Sequence, residues 1–189
     1  MLSAVVESFD RLVDDRFATW RGRPSADAAA YAASALGDHG LLWFLVGLAR
    51  AGRPGPRRAL AVRAVVFTGV VTPLVNAGLK AAVGRVRPDR AGDQAGPVRI
   101  PRTTSFPSGH ALAAWCAASL LAEDDPWAPA YYGAATAISA SRVHLRLHHA
   151  SDVVAGALLG MALGRTGRGL VGVGGRIMRR LECAGPGGR

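Results

Sequence analysis

Apolar and polar positions fall in blocks along this chain, and the block lengths predict its architecture. Over the first twenty residues, Val5, Val6, Phe9, Leu12, Val13, Phe17 and Trp20 recur at helical intervals among Glu7, Asp10, Asp14 and Asp15. That spacing predicts an amphipathic helix, lying either along a membrane surface or on a protein surface, and the acidic residues break the apolar core a cleaved signal peptide needs. After the turn signal Arg21-Gly22-Arg23-Pro24, apolar runs follow at 28–49, 64–79, 107–122, 127–141 and 150–164. Asp38 and His39 interrupt the first. Pro73 and Asn76 interrupt the second, which is tolerated where neighbouring helices satisfy the freed backbone. A spanning helix needs about 20 apolar residues, so the shorter runs would also suit the core of a soluble helical domain. Gly156, Gly160 and Gly164 repeat on one face of the last run, a small-residue pattern that lets membrane helices approach closely.

The expected fold is an all-α, integral-membrane helical bundle of about five spans with an N-terminal amphipathic helix. Residues 1–26 form the interfacial segment, 27–165 the helical domain, and 166–189 a basic, Gly-rich tail at acidic lipid headgroups. Composition supports this. Of 189 residues, 50% are apolar and 19% charged, which excludes a disordered chain and fits one hydrophobic body. The net charge is +10, yet mean hydropathy is +0.19, so charge is confined to short stretches between apolar ones. A nucleic-acid module would spread its cations along an amphipathic face with interleaved aromatics. Cys116 and Cys183 are too few for a disulfide framework.

Polar clusters sit at the ends of these runs, where ionisable groups are functional suspects. Lys80 and Arg87-Pro88 close the second run, with the cations about two helical turns apart and able to face one anion. Ser105-Phe-Pro107-Ser108-Gly109-His110 opens the third, a helix start whose free N–H groups suit phosphate. Ser141-Arg142 through His144, His148, His149 and Asp152 leads into the last. Singly, these read as flanking charges, a cap and a surface i,i+4 pair. Together, cations, histidines, a carboxylate and a helix N-terminus point to a dianionic group being attacked and released. Spacing alone does not choose between His148 and His149, which stand four and three residues before Asp152. His144, His148, His110 and Asp152 would also suit a metal, but Lys80, Arg87 and Arg142 would repel one and attract phosphate.

KxxxxxxRP at Lys80 to Pro88, PSGH at Pro107 to His110, and SRxxxxxHxxxD at Ser141 to Asp152 together resemble the type 2 phosphatidic acid phosphatase superfamily. This resemblance implies His148 as the nucleophile, Asp152 as its orienting carboxylate and His110 as the general acid and base. Lys80, Arg87, Ser108, Gly109 and Arg142 take the place of the phosphate clamp, with no metal and no cofactor. The implied function is a metal-independent membrane phosphatase that hydrolyses a polyprenyl or phosphatidyl phosphate or diphosphate through a phosphohistidine. The alternatives are phosphotransfer to an acceptor other than water, or a non-catalytic lipid-phosphate-binding protein. The partners expected are the bilayer and a lipid phosphate or diphosphate, not nucleic acid. Five spans would put 80–107 and 142–149 on one side. Arg50, Arg53, Arg57, Arg58 and the tail then fall on the cytoplasmic side of a bacterial plasma membrane, with the site facing outward.

Overall fold

The computed structural model describes residues 2–52, 54–55, 57–89, 103–123 and 125–183, with side chains placed for residues 3–169 of these. Among the described residues the chain is helical without a strand: α1 (Leu2–Ala18), α2 (Pro24–Gly37), α3 (Leu41–Ala51), α4 (Arg58–Val66), α5 (Thr72–Val83), α6 (Gly109–Leu121), α7 (Ala128–His144) and α8 (Ala150–Cys183). Arg53, Asp124 and residues 90–102, within the expected surface loop, lie outside the described residues.

The bundle is built around α6 because GHALAAWCAASLL is apolar or small on every side, and a helix of that kind must be enclosed. Ala111, Leu112, Cys116, Ala117, Ala118 and Leu120 are fully buried. The glycine stripe on α8 lies against α6: a Cβ on Gly156 would come 2.5 Å from the Ser108 carbonyl oxygen, one on Gly160 would strike the Leu112 carbonyl oxygen, and one on Gly164 would come 2.5 Å from Ser119 Cβ. Two helices can approach this closely only where side chains are missing. Trp43, Ala61 and Ala64 extend the core between α3, α4 and α6.

Both interrupted runs bend where the sequence interrupts them. Asp38–Gly40 forms a single 3-10 turn between α2 and α3, with His39 at φ 51° and Gly40 at φ 71°. Between α4 and α5 the chain widens into a π turn at Phe67–Val71. Pro73 explains it, because its ring cannot accommodate the carbonyl four residues earlier, at Gly69, in a regular α turn. The bent stretches Pro24–Ala51 and Arg58–Val83 are each long and apolar enough to cross a bilayer, with mean hydropathies of 1.3 and 1.6. Leu41, Leu45 and Leu48 on one, and Val62, Val66, Val70 and Leu74 on the other, form exposed apolar stripes at helical spacing. Such continuous apolar surface is what a lipid-facing helix presents.

The last run does not end near residue 164. α8 continues for 34 residues to Cys183, about 51 Å of helix, so the segment expected as a tail is helical to that point. The side chains of Arg176, Arg179 and Arg180, expected at lipid headgroups, lie outside those described. At one end of the bundle, Arg50 forms an ion pair with the buried Asp125 and bonds Tyr131 Oη at 2.7 Å. The starts of α6 and α8 and the turn before α8 lie at the opposite end. Across that end runs α1, with Val13 and Phe17 packed on Ala111, Val143, Ala150 and Val153. The apolar positions of α1 divide between two directions: Val5, Phe9 and Leu12 point outward, 62%, 40% and 59% exposed.

Candidate active site

The site is assembled from chain ends that the helices bring together. Gly84, at φ 56°, stops α5 in the left-handed conformation, and its N–H caps the Lys80 carbonyl. The chain then runs back over the site, so Lys80 Nζ and Arg87 Nη2 both donate to the Thr104 carbonyl oxygen. Arg87 Nη1 also donates to the Leu147 carbonyl and lies 3.2 Å from His148 Nε2. Arginine has no acceptor, so Nε2 accepts in this contact and the ring proton sits on Nδ1. That Nδ1 is 3.8 Å from Asp152 Oδ2, beyond hydrogen-bond length, and is buried without a hydrogen-bond partner among the described residues. Catalytic contacts of this kind are often long before substrate binds.

Asp152 is fully buried at the start of α8 and held on both oxygens. Arg85 Nη1 donates to Oδ1 at 2.7 Å, while Oδ2 accepts from Ser105 Oγ and from the His149 amide at 2.9 Å. The Ser108 amide donates to the Asp152 carbonyl at 3.0 Å and joins the start of α6 to that of α8. Ser108 caps α6, its Oγ accepting from Ala111 N, and Gly109 follows in the first turn. His110 Nε2 donates to Asp38 Oδ1 at 2.8 Å. Arg142 is buried at the end of α7, where Nη1 donates to Ser34 Oγ and Nε has no hydrogen-bond partner among the described residues. Its carbonyl accepts from the Leu147 and His148 amides, which folds the turn back on itself.

All eight residues expected from the sequence therefore lie at this end of the bundle. His148 is 3% exposed and faces Arg87 and Asp152. His149 instead meets the Val86 carbonyl, and His144 Nε2 donates to Asp27 at 2.7 Å. No group of three or more His, Cys, Asp or Glu side chains suited to a metal occurs among the described residues. Burial pushes the His148 ring down to about 4, and Asp152 opposes that less strongly than burial and the charges of Arg87 and Arg142 favour it. Burial likewise lowers Arg87. Burial also acts against the charge of Arg85, but its bonds to Asp10 and Asp152 outweigh this and raise it.

Asp10, Asp38 and Arg85 were not singled out as site residues by sequence reasoning, and Ser105 was named only as the start of the run that opens α6. Asp38 had signalled itself only as a polar break in an apolar run, and Asp10 only as an acidic residue on an amphipathic helix. A cavity of about 390 Å³ lies between α1 and the turn before α8, lined by Asp10, Asp14, Arg85, Arg146, His148 and His149 among others. Lys80, Ser108, His110 and Arg142 do not line it. It therefore reaches His148 from the α1 side, and not from the side of Lys80 and Arg142.

The model of the PAP2 superfamily matches residues 60–171, which include all eight site residues expected from the sequence. The chain belongs to this superfamily. It is 38% identical over 139 residues to a decaprenylphosphoryl-5-phosphoribose phosphatase of Mycolicibacterium smegmatis, covering 71% of this chain and 73% of that protein. Its fold is similar to the crystal structure of the first transmembrane PAP2 type phosphatidylglycerolphosphate phosphatase from Bacillus subtilis. The TM-score is 0.70 at 24% identity, over 88% of this chain and 86% of the other. The chain is thus a PAP2 phosphatase, a phosphoric ester hydrolase, and its apolar helices associate it with a membrane.

Proposed function

We propose that this phosphatase hydrolyses a lipid phosphate or diphosphate without a metal ion, through a phosphohistidine on His148. The observation that carries the reading is the state of that ring: buried, with the Nε2 lone pair turned to Arg87 and Nδ1–H turned to Asp152. In the first step Nε2 forms a bond to phosphorus as the bond to the leaving oxygen breaks, and His110 gives that oxygen its proton. The ring's positive charge is balanced by Asp152 through Nδ1–H. In the second step His110 takes a proton from water, whose oxygen bonds to phosphorus as the P–N bond breaks and inorganic phosphate leaves. Lys80, Arg87, Arg142, Ser108 and the Gly109 amide neutralise the phosphoryl oxygens throughout.

The substrate class we favour is a polyprenyl-linked phosphate, supported by the 38% identity to a phosphatase of a decaprenyl-linked substrate. Five crossings fit this reading, made by α2 with α3, α4 with α5, α6, α7 and α8. Arg50, Arg57 and Arg58 then face the cytoplasm of a bacterial cell, and the site faces outward. Phosphate release in EDTA tests the proposal, using detergent-purified protein on polyprenyl phosphate, polyprenyl diphosphate, phosphatidate and phosphatidylglycerol phosphate beside His148→Ala. The expected result is EDTA-resistant release, fastest on a polyprenyl substrate and abolished by His148→Ala. Release that survives the substitution refutes the nucleophile, and release that needs a divalent ion refutes the mechanism.

A further inference from the structure

The carboxylate of Asp10 is buried although its helix lies at the surface. Oδ1 accepts from the Ser151 amide at 2.8 Å, at the start of α8, and Oδ2 accepts from Ser151 Oγ at 2.8 Å and from Arg85 Nη2 at 2.7 Å. The other arm of the same guanidinium, Nη1, donates to Asp152 Oδ1 at 2.7 Å and to Ser151 Oγ at 2.7 Å. One arginine thus bridges a carboxylate on α1 and the carboxylate facing His148. Neither Asp10 nor Arg85 is a defined position of the three motifs, and Asp10 lies outside the matched residues 60–171.

We propose that Asp10 and Arg85 are positioning residues for Asp152 and His148, which makes the N-terminal helix a working part of the active site. The inference rests on the reading of His148 as nucleophile and Asp152 as its partner. The physical case is one of geometry and charge. Arg85 pins Oδ1, Ser105 and the His149 amide pin Oδ2, and Asp10 fixes the direction of Arg85. A single cation between two carboxylates leaves the trio with one net negative charge, available to the imidazolium-like ring as phosphorus bonds to it. Without the charge of Asp10, Arg85 neutralises Asp152 and that field is lost. His148 faces Arg87 and Arg142 as well as Asp152, so the remaining field around it is cationic.

The test uses the full chain in mixed micelles, with the lipid the wild type hydrolyses fastest, and compares Asp10→Asn, Arg85→Gln, Val13→Ala and His148→Ala. Val13 also holds α1 on the bundle, by packing on Ala111, Val143, Ala150 and Val153, but has no polar group to bond Arg85 or Asp152. Asp10→Asn should lower kcat about 10- to 100-fold with KM unchanged, by analogy with the loss of outer partners that orient metal-binding histidines. Arg85→Gln should do the same, and the double variant should be no worse than the lower single, as expected of groups acting as a unit. The titration midpoint of the His148 ring, read by NMR, should move to lower pH in Asp10→Asn, since a nearby negative charge is lost. Val13→Ala should change neither quantity. The inference is overturned if Asp10→Asn keeps wild-type kcat and midpoint, or if Val13→Ala causes an equal loss. His148→Ala separates the two levels: its inactivity beside a normal Asp10→Asn sinks only this inference, while its activity sinks the nucleophile itself.

Discussion

Replacing Gly160 by alanine tests how tightly the site depends on the packing of α6 against α8. A Cβ there would overlap the Leu112 carbonyl oxygen and lie 3.0 Å from the Cys116 amide nitrogen and 3.1 Å from the Leu112 carbonyl carbon. All three atoms are backbone, so no side chain can turn aside to make room. Restoring ordinary contact, which begins near 3.4 Å, requires the helices to separate by about 1 Å, because a packed interior does not absorb such a change locally. Overpacking of this kind costs about 1–3 kcal/mol, offset by the roughly 0.5–1 kcal/mol that alanine gains over glycine in a helix. The rate should suffer more than the stability. α6 starts at Gly109 and His110 behind its cap Ser108, and α8 carries Asp152 in its first turn, so separating the helices moves His110, the proposed acid, away from His148, the proposed nucleophile. A displacement of about 1 Å can cost on the order of 100-fold in rate. The assay is kcat for phosphate release beside thermal unfolding in detergent, with Gly133→Ala as the control, since a Cβ at Gly133 meets nothing within 4 Å. Gly133→Ala should be as active as wild type and no less stable. Gly160→Ala with wild-type kcat and an undiminished unfolding temperature would refute the argument.

Other consequences can be measured separately. Because burial holds the His148 ring at about 4 rather than 6.5, the folded protein binds fewer protons than the unfolded chain between those values. Its contribution to stability is therefore complete above pH 6.5 and lost as pH falls toward 4. Unfolding in detergent should show the wild type losing more stability than His148→Gln across that window, and equal losses count against it. Asp38→Asn keeps an oxygen for His110 Nε2 but removes the charge, and should lower kcat about tenfold. The loss should be larger for a monophosphate, whose alcohol oxygen needs a proton to leave, than for a diphosphate; equal losses speak against general-acid support. Asp125→Ala leaves Arg50 half-buried without its anion and should cost about 3 kcal/mol of stability with kcat unchanged, since that pair lies at the far end of the bundle. An unaltered unfolding temperature refutes that estimate.

Much of this molecule is legible from residue order alone. Helix is dictated by the 3.6-residue period of its apolar runs. The breaks at Asp38-His39 and Pro73 are local, because a polar pair or a ring without an N–H acts on the turn that contains it. The glycine stripe on α8 could be read as a close approach because Gly156, Gly160 and Gly164 share one helical face whatever they pack on. The residues grouped as a candidate phosphate site were also visible, since each motif is contiguous and its chemistry is carried by side-chain type. Spacing did not separate His148 from His149, which stand four and three residues before Asp152; the family resemblance pointed to His148, and only tertiary structure gives the two rings different surroundings. The turn folded back on the Arg142 carbonyl buries the first against Arg87 and turns the second to Val86. The same holds for Asp38 with His110, 72 positions apart, and for Asp10 with Ser151, 141 apart. No local period or spacing encodes such pairs, because they exist only once the packing of α6, α7 and α8 has brought distant chain ends to one end of the bundle.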